Sequence, residues 1–237
     1  MNNQSEGNPP FFLNPYSIEF PKPHLALEEP DGLLAVGGDL HPDRLLAAYK
    51  QGIFPWFSDD QPILWWSPNP RCILLPEQLV ISRSMKKVIK RGDYQVTINQ
   101  AFSEVMQHCA APRDDQNGTW ITSEMHHAYS NLHQQGHAHS AECWYQGELV
   151  GGLYGIAIGR VFFGESMFSK RSNASKTAFI TLVQQLISWD YQLIDCQVHT
   201  NHLESLGAIE IPRELFLQQL NRLCHQAPSP SAWSCSQ

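Results

Sequence analysis

The six cysteines (72, 109, 143, 196, 224 and 235) never stand as a C-x-x-C pair. That scatter argues against a disulfide framework or a spaced zinc site and suits a reduced, cytoplasmic protein. No apolar run approaches the roughly 20 residues that cross a bilayer. The N-terminus shows neither a charged n-region nor an apolar h-region, so no secretory signal is expected. Charge is sparse, at 16% of residues, and the net value of −7 speaks against a general nucleic-acid binder. No Gly-Lys-Ser/Thr follows Gly37-Gly38, which excludes a P-loop. Gly164-Glu165-Ser166-Met167 is not the G-x-S-x-G elbow of a serine hydrolase. The histidine pairs His126-His127, His137-x-His139 and His199-x-x-His202 lack the helix-borne spacing with a carboxylate that a zinc hydrolase needs, so no metal is expected. There is no internal repeat.

What is present is enough apolar material for a real core, 42% of residues, and two carboxylates inside apolar runs. Glu165 follows Val161-Phe162-Phe163-Gly164, and Asp195 stands in Leu193-Ile194-Asp195-Cys196-Gln197-Val198. An ionised carboxylate in such a place is costly unless paired. Two readings stay open for each: a buried ion pair or cap, or a functional group. Asp195 and Gln197 lie two apart in a strand-like run, so period two points them to one face and Cys196, read as a structural thiol, to the other.

Taken in order, residues 1–30 read as an irregular arm, and Gly37-Gly38 as a tight turn. A helix is predicted from Pro42, with Asp43 in its first turn, Leu45, Leu46 and Tyr49 inward, and a stop at Gly52. The aromatics of Ile53–Phe57 and Ile63–Trp66 are too dense for a solvated loop and suit a small aromatic core or a pocket wall. A strand over 71–75 precedes a helix opened by Ser82 as N-cap, carrying Arg83, Lys86, Lys87, Lys90 and Arg91. Arg83, Lys87, Lys90 and Arg91 are spaced to share a face, which by spacing alone is a solvated helix surface. Further helices are expected over 101–110 and from Ser123, as its possible cap, to His133. Strands over 140–145 and 149–158 are joined by a hairpin at Gln146-Gly147-Glu148. A third strand covers 161–167, a helix 173–188, a strand 192–198, and a final helix 213–223. The pattern is α/β (α+β): a mixed sheet flanked by helices. The expected divisions are a small N-terminal domain over 1–69, a main domain over 70–226, and a Ser/Pro-rich tail over 227–237 that frays.

Several stretches, in order, resemble the bacterial leucyl/phenylalanyl-tRNA–protein transferases. They are Gly32–Leu40, Gly52-Ile53-Phe54-Pro55-Trp56-Phe57, Ile63–Pro68, Gly118-Thr119-Trp120-Ile121, Phe163–Ser169, Ala174-Ser175-Lys176, Leu193–Gln197 and Ser205-Leu206-Gly207-Ala208. The resemblance runs from Gly32 to about Leu220. It implies an N-acetyltransferase-like catalytic domain, no cofactor, no metal and no acyl-CoA. It implies transfer of Leu or Phe, less readily Met, from aminoacyl-tRNA to proteins with N-terminal Arg or Lys, which marks them for degradation. His41 stands where relatives often carry Ser, so the first helix is expected to be capped differently. Leu182 and Leu186 stand where some relatives place Phe near the aminoacyl pocket.

With that substrate implied, Gln197 is expected to accept a hydrogen bond from the attacking amine, Asp195 to orient Gln197, and Glu165 to hold a cation of donor or acceptor. Trp56, Trp120, Leu153, Phe168, Leu182 and Leu186 are expected around the aminoacyl side chain. Arg83, Lys87, Lys90 and Arg91 are then expected to hold tRNA phosphates. Two readings compete. An acyl-CoA-dependent acetyltransferase is disfavoured because Ser169–Ala174 lacks a glycine-rich turn for a pyrophosphate. A non-catalytic binder of protein N-termini explains an acidic pocket but not the basic helix.

Overall fold

The computed structural model describes residues 9–111 and 121–234. The N-terminal part builds a four-stranded sheet in the order β1-β2-β4-β3. Its strands are β1 (Phe11–Phe12), β2 (Leu33–Val36), β3 (Phe54–Pro55) and β4 (Leu64–Trp66), and helix α1 (Pro42–Lys50) lies between β2 and β3. His41 is indeed the unusual cap of α1, its Nδ1 accepting from the Asp43 N–H at 3.4 Å. Gly52 then ends the helical segment at a φ of +72°, and a Cβ there would come within 2.8 Å of Leu217. A glycine is needed at that point for both the backbone turn and the close packing.

The rest of the chain builds a seven-stranded sheet, ordered β11-β5-β10-β9-β8-β7-β6. The strands are β5 (Arg71–Leu74), β6 (Gln95–Ile98), β7 (Ala138–Tyr145), β8 (Glu148–Ile158), β9 (Val161–Ser169), β10 (Leu193–Gln197) and β11 (Ile209–Ile211). The helices are α2 (Arg83–Arg91), α3 (Phe102–Ala110), α4 (Ser123–Gln134), α5 (Ala174–Ser188), α6 (Asn201–Glu204) and α7 (Arg213–Leu223). The β7–β8 hairpin turns at Gln146 and Gly147, both at positive φ (+53° and +83°), as a two-residue turn matched to strand twist requires. Among the described residues of this sheet only β9 and β10 pair in parallel, and α5 supplies the crossover such a pair needs.

Alternation along the strands sorts the core into two layers. Val161, Phe163 and Tyr154 join Phe102, Met125, Tyr129 and Phe216 on one side. Phe162, Leu153 and Ile194 join Ala178, Leu182 and Leu186 of α5 on the other. The first layer also contains Leu34, Leu45, Tyr49 and Trp65, so the two sheets share one continuous core.

Two expectations are corrected. Thr122, not Ser123, caps α4, its Oγ1 accepting from the Met125 N–H at 3.2 Å. The tail does not fray through Ser234: the Trp233 ring stacks on His139 at 3.8 Å and its Nε1 donates to Tyr191 Oη at 2.7 Å. One indole with an apolar berth and a hydrogen-bond partner outweighs a Ser/Pro-rich composition.

Candidate active site

The site is built where the parallel strands part. Pairing of β9 with β10 runs from Val161/Leu193 to Phe163/Asp195 and stops. Beyond it β9 stays with β8, whose register slips between Tyr154 and Gly155, leaving Glu165 as the extra residue of a bulge. A bulge re-aims a side chain, and this one turns Glu165 toward α1 and α4. Gly155 permits it, since a Cβ there would lie 2.2 Å from the Phe163 carbonyl oxygen. The partner strand is irregular too: β10 slips against β5 between Asp195 and Gln197.

Gln197 adopts a φ of +63°. That conformation costs a non-glycine residue about 1–2 kcal/mol. It is held by a hydrogen bond from the Gln197 N–H to Asp195 Oδ1 at 2.9 Å. Asp195 therefore orients Gln197 through its backbone, not through its side-chain amide. The two side chains still serve the same layer, toward α1, α4 and α7, while Cys196 packs on the α5 side.

Asp195 is fully buried and Arg71 nearly so, and they meet in a two-pronged ion pair. The Arg71 guanidinium lies 4.8 Å from the Phe54 ring centroid and 4.7 Å from that of Phe216. With both oxygens gripped by Arg71 and one also taking the Gln197 N–H, Asp195 is a structural anchor. Arg71 was missed in the sequence, where it reads only as the first residue of a strand. The available signal was a lone cation at the head of the apolar run Cys72-Ile73-Leu74.

Glu165 draws in two further residues missed at first, Tyr49 of α1 and Tyr129 of α4. The Tyr49 hydroxyl donates to Oε1 at 2.8 Å, the Tyr129 hydroxyl lies 3.1 Å from Oε2, and Gln197 Nε2 donates to Oε1 at 2.8 Å. The two phenolic oxygens also contact each other. Burial pushes the Glu165 carboxyl up to about 7, against the lowering pull of its three hydrogen bonds. Burial, and next the Glu165 charge, push the Tyr49 and Tyr129 phenols well above their ordinary range. Glu165 is half-buried as a residue, while both tyrosines are fully buried. With Gln197 Nε2 engaged by Glu165, its Oε1 is the amide atom suited to accept a further hydrogen bond.

The expected wall residues do not form one surface. Trp56 is 48% exposed, tilted against Trp66 at 5.8 Å. Phe168 lies in the layer of Tyr49 and Tyr129, beside His108 at 4.8 Å. Leu153, Leu182 and Leu186 are buried in the opposite layer, between the sheet and α5. Strand alternation is the reason: Leu153 points away from the face its neighbour Tyr154 occupies. Trp120 lies outside the described residues.

Helix α2 is capped by Ser82, whose Oγ accepts from the Met85 N–H at 3.2 Å. It buries only Met85 and exposes Arg83, Lys86, Lys87, Lys90 and Arg91. Arg91 is partly engaged by Asp93. Among the described residues no three His, Cys, Asp or Glu side chains converge in a metal-binding group.

Comparison with known proteins shows the family of the chain. The sequence model described as "Leucyl/phenylalanyl-tRNA protein transferase" matches residues 73–221, and that of the corresponding N-terminal domain matches 38–69. The leucyl/phenylalanyl-tRNA–protein transferase of Saccharophagus degradans is 59% identical over 92% of this chain and 89% of its own length. That of Hahella chejuensis is 63% identical over 86% of this chain and 87% of its own. A slight likeness links the fold to a solved GCN5-related N-acetyltransferase from Kribbella flavida, 14% identical over 71% of this chain and 60% of that one, with a TM-score of 0.36. On the family match and the identity of these relatives, the chain belongs to the leucyl/phenylalanyl-tRNA–protein transferases.

Proposed function

We propose that this transferase moves a leucyl or phenylalanyl group, and less readily methionyl, from aminoacyl-tRNA to the α-amine of proteins that begin with Arg or Lys. The modified proteins are thereby marked for degradation in the cytoplasm. The observation that carries the reading is the Gln197–Glu165 bridge across the parted strands, with Asp195 and Arg71 fixing Gln197 from behind.

The chemistry asks little of the protein. The donor ester is already activated, and the acceptor α-amine has an ordinary pKa near ~8, so a useful fraction is neutral at working pH. Gln197 Oε1 accepts a hydrogen bond from the amine and aims its lone pair at the ester carbon. The carbon–nitrogen bond forms, the bond from the acyl carbon to the ribose oxygen breaks, and the proton lost by the amine ends on the leaving ribose hydroxyl. Holding amine and ester in register supplies most of the rate. Glu165 holds a substrate cation. Trp56 and Phe168 border the donor, while Leu153, Leu182 and Leu186 set the depth of the apolar layer behind the parted strands. Arg83, Lys87, Lys90 and Arg91 hold phosphates of the tRNA acceptor stem without reading sequence.

The direct test is transfer of labelled leucine from charged tRNA to a peptide beginning with Arg, beside the same peptide beginning with Ala. Label should appear on the first peptide only. Absence of transfer, or acetylation of the peptide on adding acetyl-CoA instead, would replace this reading by the acetyltransferase one.

A further inference from the structure

Three oxygen–oxygen contacts join the Tyr49 hydroxyl, the Tyr129 hydroxyl and the Glu165 carboxyl into a ring: Tyr49 to Tyr129, Tyr49 to Oε1, and Tyr129 to Oε2. The two phenols bring two protons. If the carboxyl is ionised, one of the three contacts presses lone pair against lone pair, with both phenols fully buried. Ionising a phenol makes the deficit worse. A third proton, on Oε2, completes the set: Oε2–H donates to Tyr129, Tyr129 O–H to Tyr49, and Tyr49 O–H to Oε1. Oε1, now a carbonyl oxygen, keeps a second lone pair for Gln197 Nε2, which sits at 2.8 Å. Every donor and acceptor in the ring is then matched.

We propose that Glu165, Tyr49 and Tyr129 hold three protons in the empty site, so that the carboxyl is neutral there, and that docking of a substrate cation expels one of them. Tyr49 and Tyr129 are on this account positioning residues, acting through Glu165. Only the identity of the cation, the donor's α-ammonium or the acceptor's basic side chain, rests on the transferase reading.

The surroundings favour the neutral form. Tyr49 faces the carboxyl from α1 and Tyr129 from α4. Tyr154 approaches from β8, its buried hydroxyl without a hydrogen bond, with Cys109 of α3 close by. Asp195 of β10 adds a like charge, balanced by Arg71 of β5. Among the described residues no cation is paired with the carboxyl. Burial raises its affinity for a proton in the same direction as the proton count. An ammonium arriving at the carboxyl reverses the balance, because it attracts the anion and not the acid. Both phenols then donate to the carboxylate, and the Tyr49–Tyr129 contact opens.

Two measurements on the full chain test this. Carboxyl-labelled glutamate followed by NMR in the empty protein should show one group titrating near 7, absent in Glu165→Gln. Glutamine mimics the neutral acid, an NH₂ replacing the O–H toward Tyr129, so that variant should keep its fold. If it does not, the signal is assigned through its displacement in Tyr129→Phe. Titration in the ordinary range around ~4.3 overturns the proposal whatever the enzyme's activity. Calorimetry at about pH 6, in buffers of different ionisation enthalpy, then reads proton release on binding a non-hydrolysable leucyl-adenosine amide or, separately, an Arg-leading peptide; both amines are already charged at that pH. Release approaching one proton with either probe supports the proposal and identifies the bound cation; binding of both without release overturns it. Failure of leucine transfer with an intact titration near 7 would instead count against the transferase reading alone.

Discussion

Arg71 closes on Asp195 with two hydrogen bonds, Nε to Oδ1 at 2.8 Å and Nη2 to Oδ2 at 2.7 Å, and neither side chain reaches solvent to more than 1%. Their partnership spans 124 residues of sequence and ties β5 to the end of β10. Because Asp195 in turn holds the Gln197 N–H, this buried pair sets the backbone from which the Gln197 amide projects.

Breaking that pair from one side leaves a buried charge uncompensated. Arg71→Ala and Asp195→Ala should each lose about 3–5 kcal/mol of stability. Arg71→Lys keeps the charge but not the fork, so it should remain folded while kcat falls more than KM rises. Urea unfolding and steady-state transfer kinetics check both halves; an unchanged kcat in a folded Arg71→Lys would show that Gln197 needs no such anchor.

Gln197 separates stability from activity. Gln197→Gly relieves the left-handed backbone and should leave stability unchanged or raised by up to ~1 kcal/mol. It removes the amide, so turnover at saturating substrates should fall by at least ~10²-fold, the low end for a positioned proton-transfer or oriented group. Gln197→Ala should lose the same activity without the gain in stability. Thermal melts paired with kcat decide; a glycine variant of full activity would remove Gln197 from the chemistry.

The α2 cations should act on tRNA only. Arg83→Ala with Lys87→Ala should raise the apparent KM for aminoacyl-tRNA and flatten its salt dependence by a slope of about 2, one for each phosphate contact removed. An aminoacyl-adenosine donor lacks those phosphates and should react unchanged. Equal damage to both donors would return the helix to a plain solvated surface.

Stability should respond to pH through Glu165 in an unusual direction. Its folded pKa, about 7, lies above the ordinary carboxyl value of 4.5, so between those values the native state binds more protons than the unfolded one. Stability from this group is therefore present at the acid end of that window and lost as pH rises through about 7. Glu165→Gln, which cannot titrate, should flatten that part of the profile. Urea midpoints across the window measure it, and superimposable profiles for the two proteins would contradict the raised value.

What the sequence by itself determined is local or repeated in order along the chain. Ser82 at the head of α2, Pro42 and Gly52 around α1, and the Gln146-Gly147 hairpin each depend on a few adjacent residues with strong conformational preferences. The carboxylates Glu165 and Asp195 were visible as costly residues in apolar runs, and ordered motifs carried the family. Tertiary structure alone decided what those carboxylates meet. Arg71 pairs with Asp195 and Tyr49 with Glu165 across 124 and 116 residues, and nothing in the local pattern of either partner names the other. Trp233 shows the same limit: its segment has the composition of a free tail, yet an indole-shaped berth among His139, Trp189 and Tyr191 holds it down. The bulge at Glu165 likewise follows from how β8 and β9 register over their whole length, since a slip of one residue changes which side chain faces the core. Burial and long-range pairing are properties of the assembled sheet, so they create the site only once the strands have met.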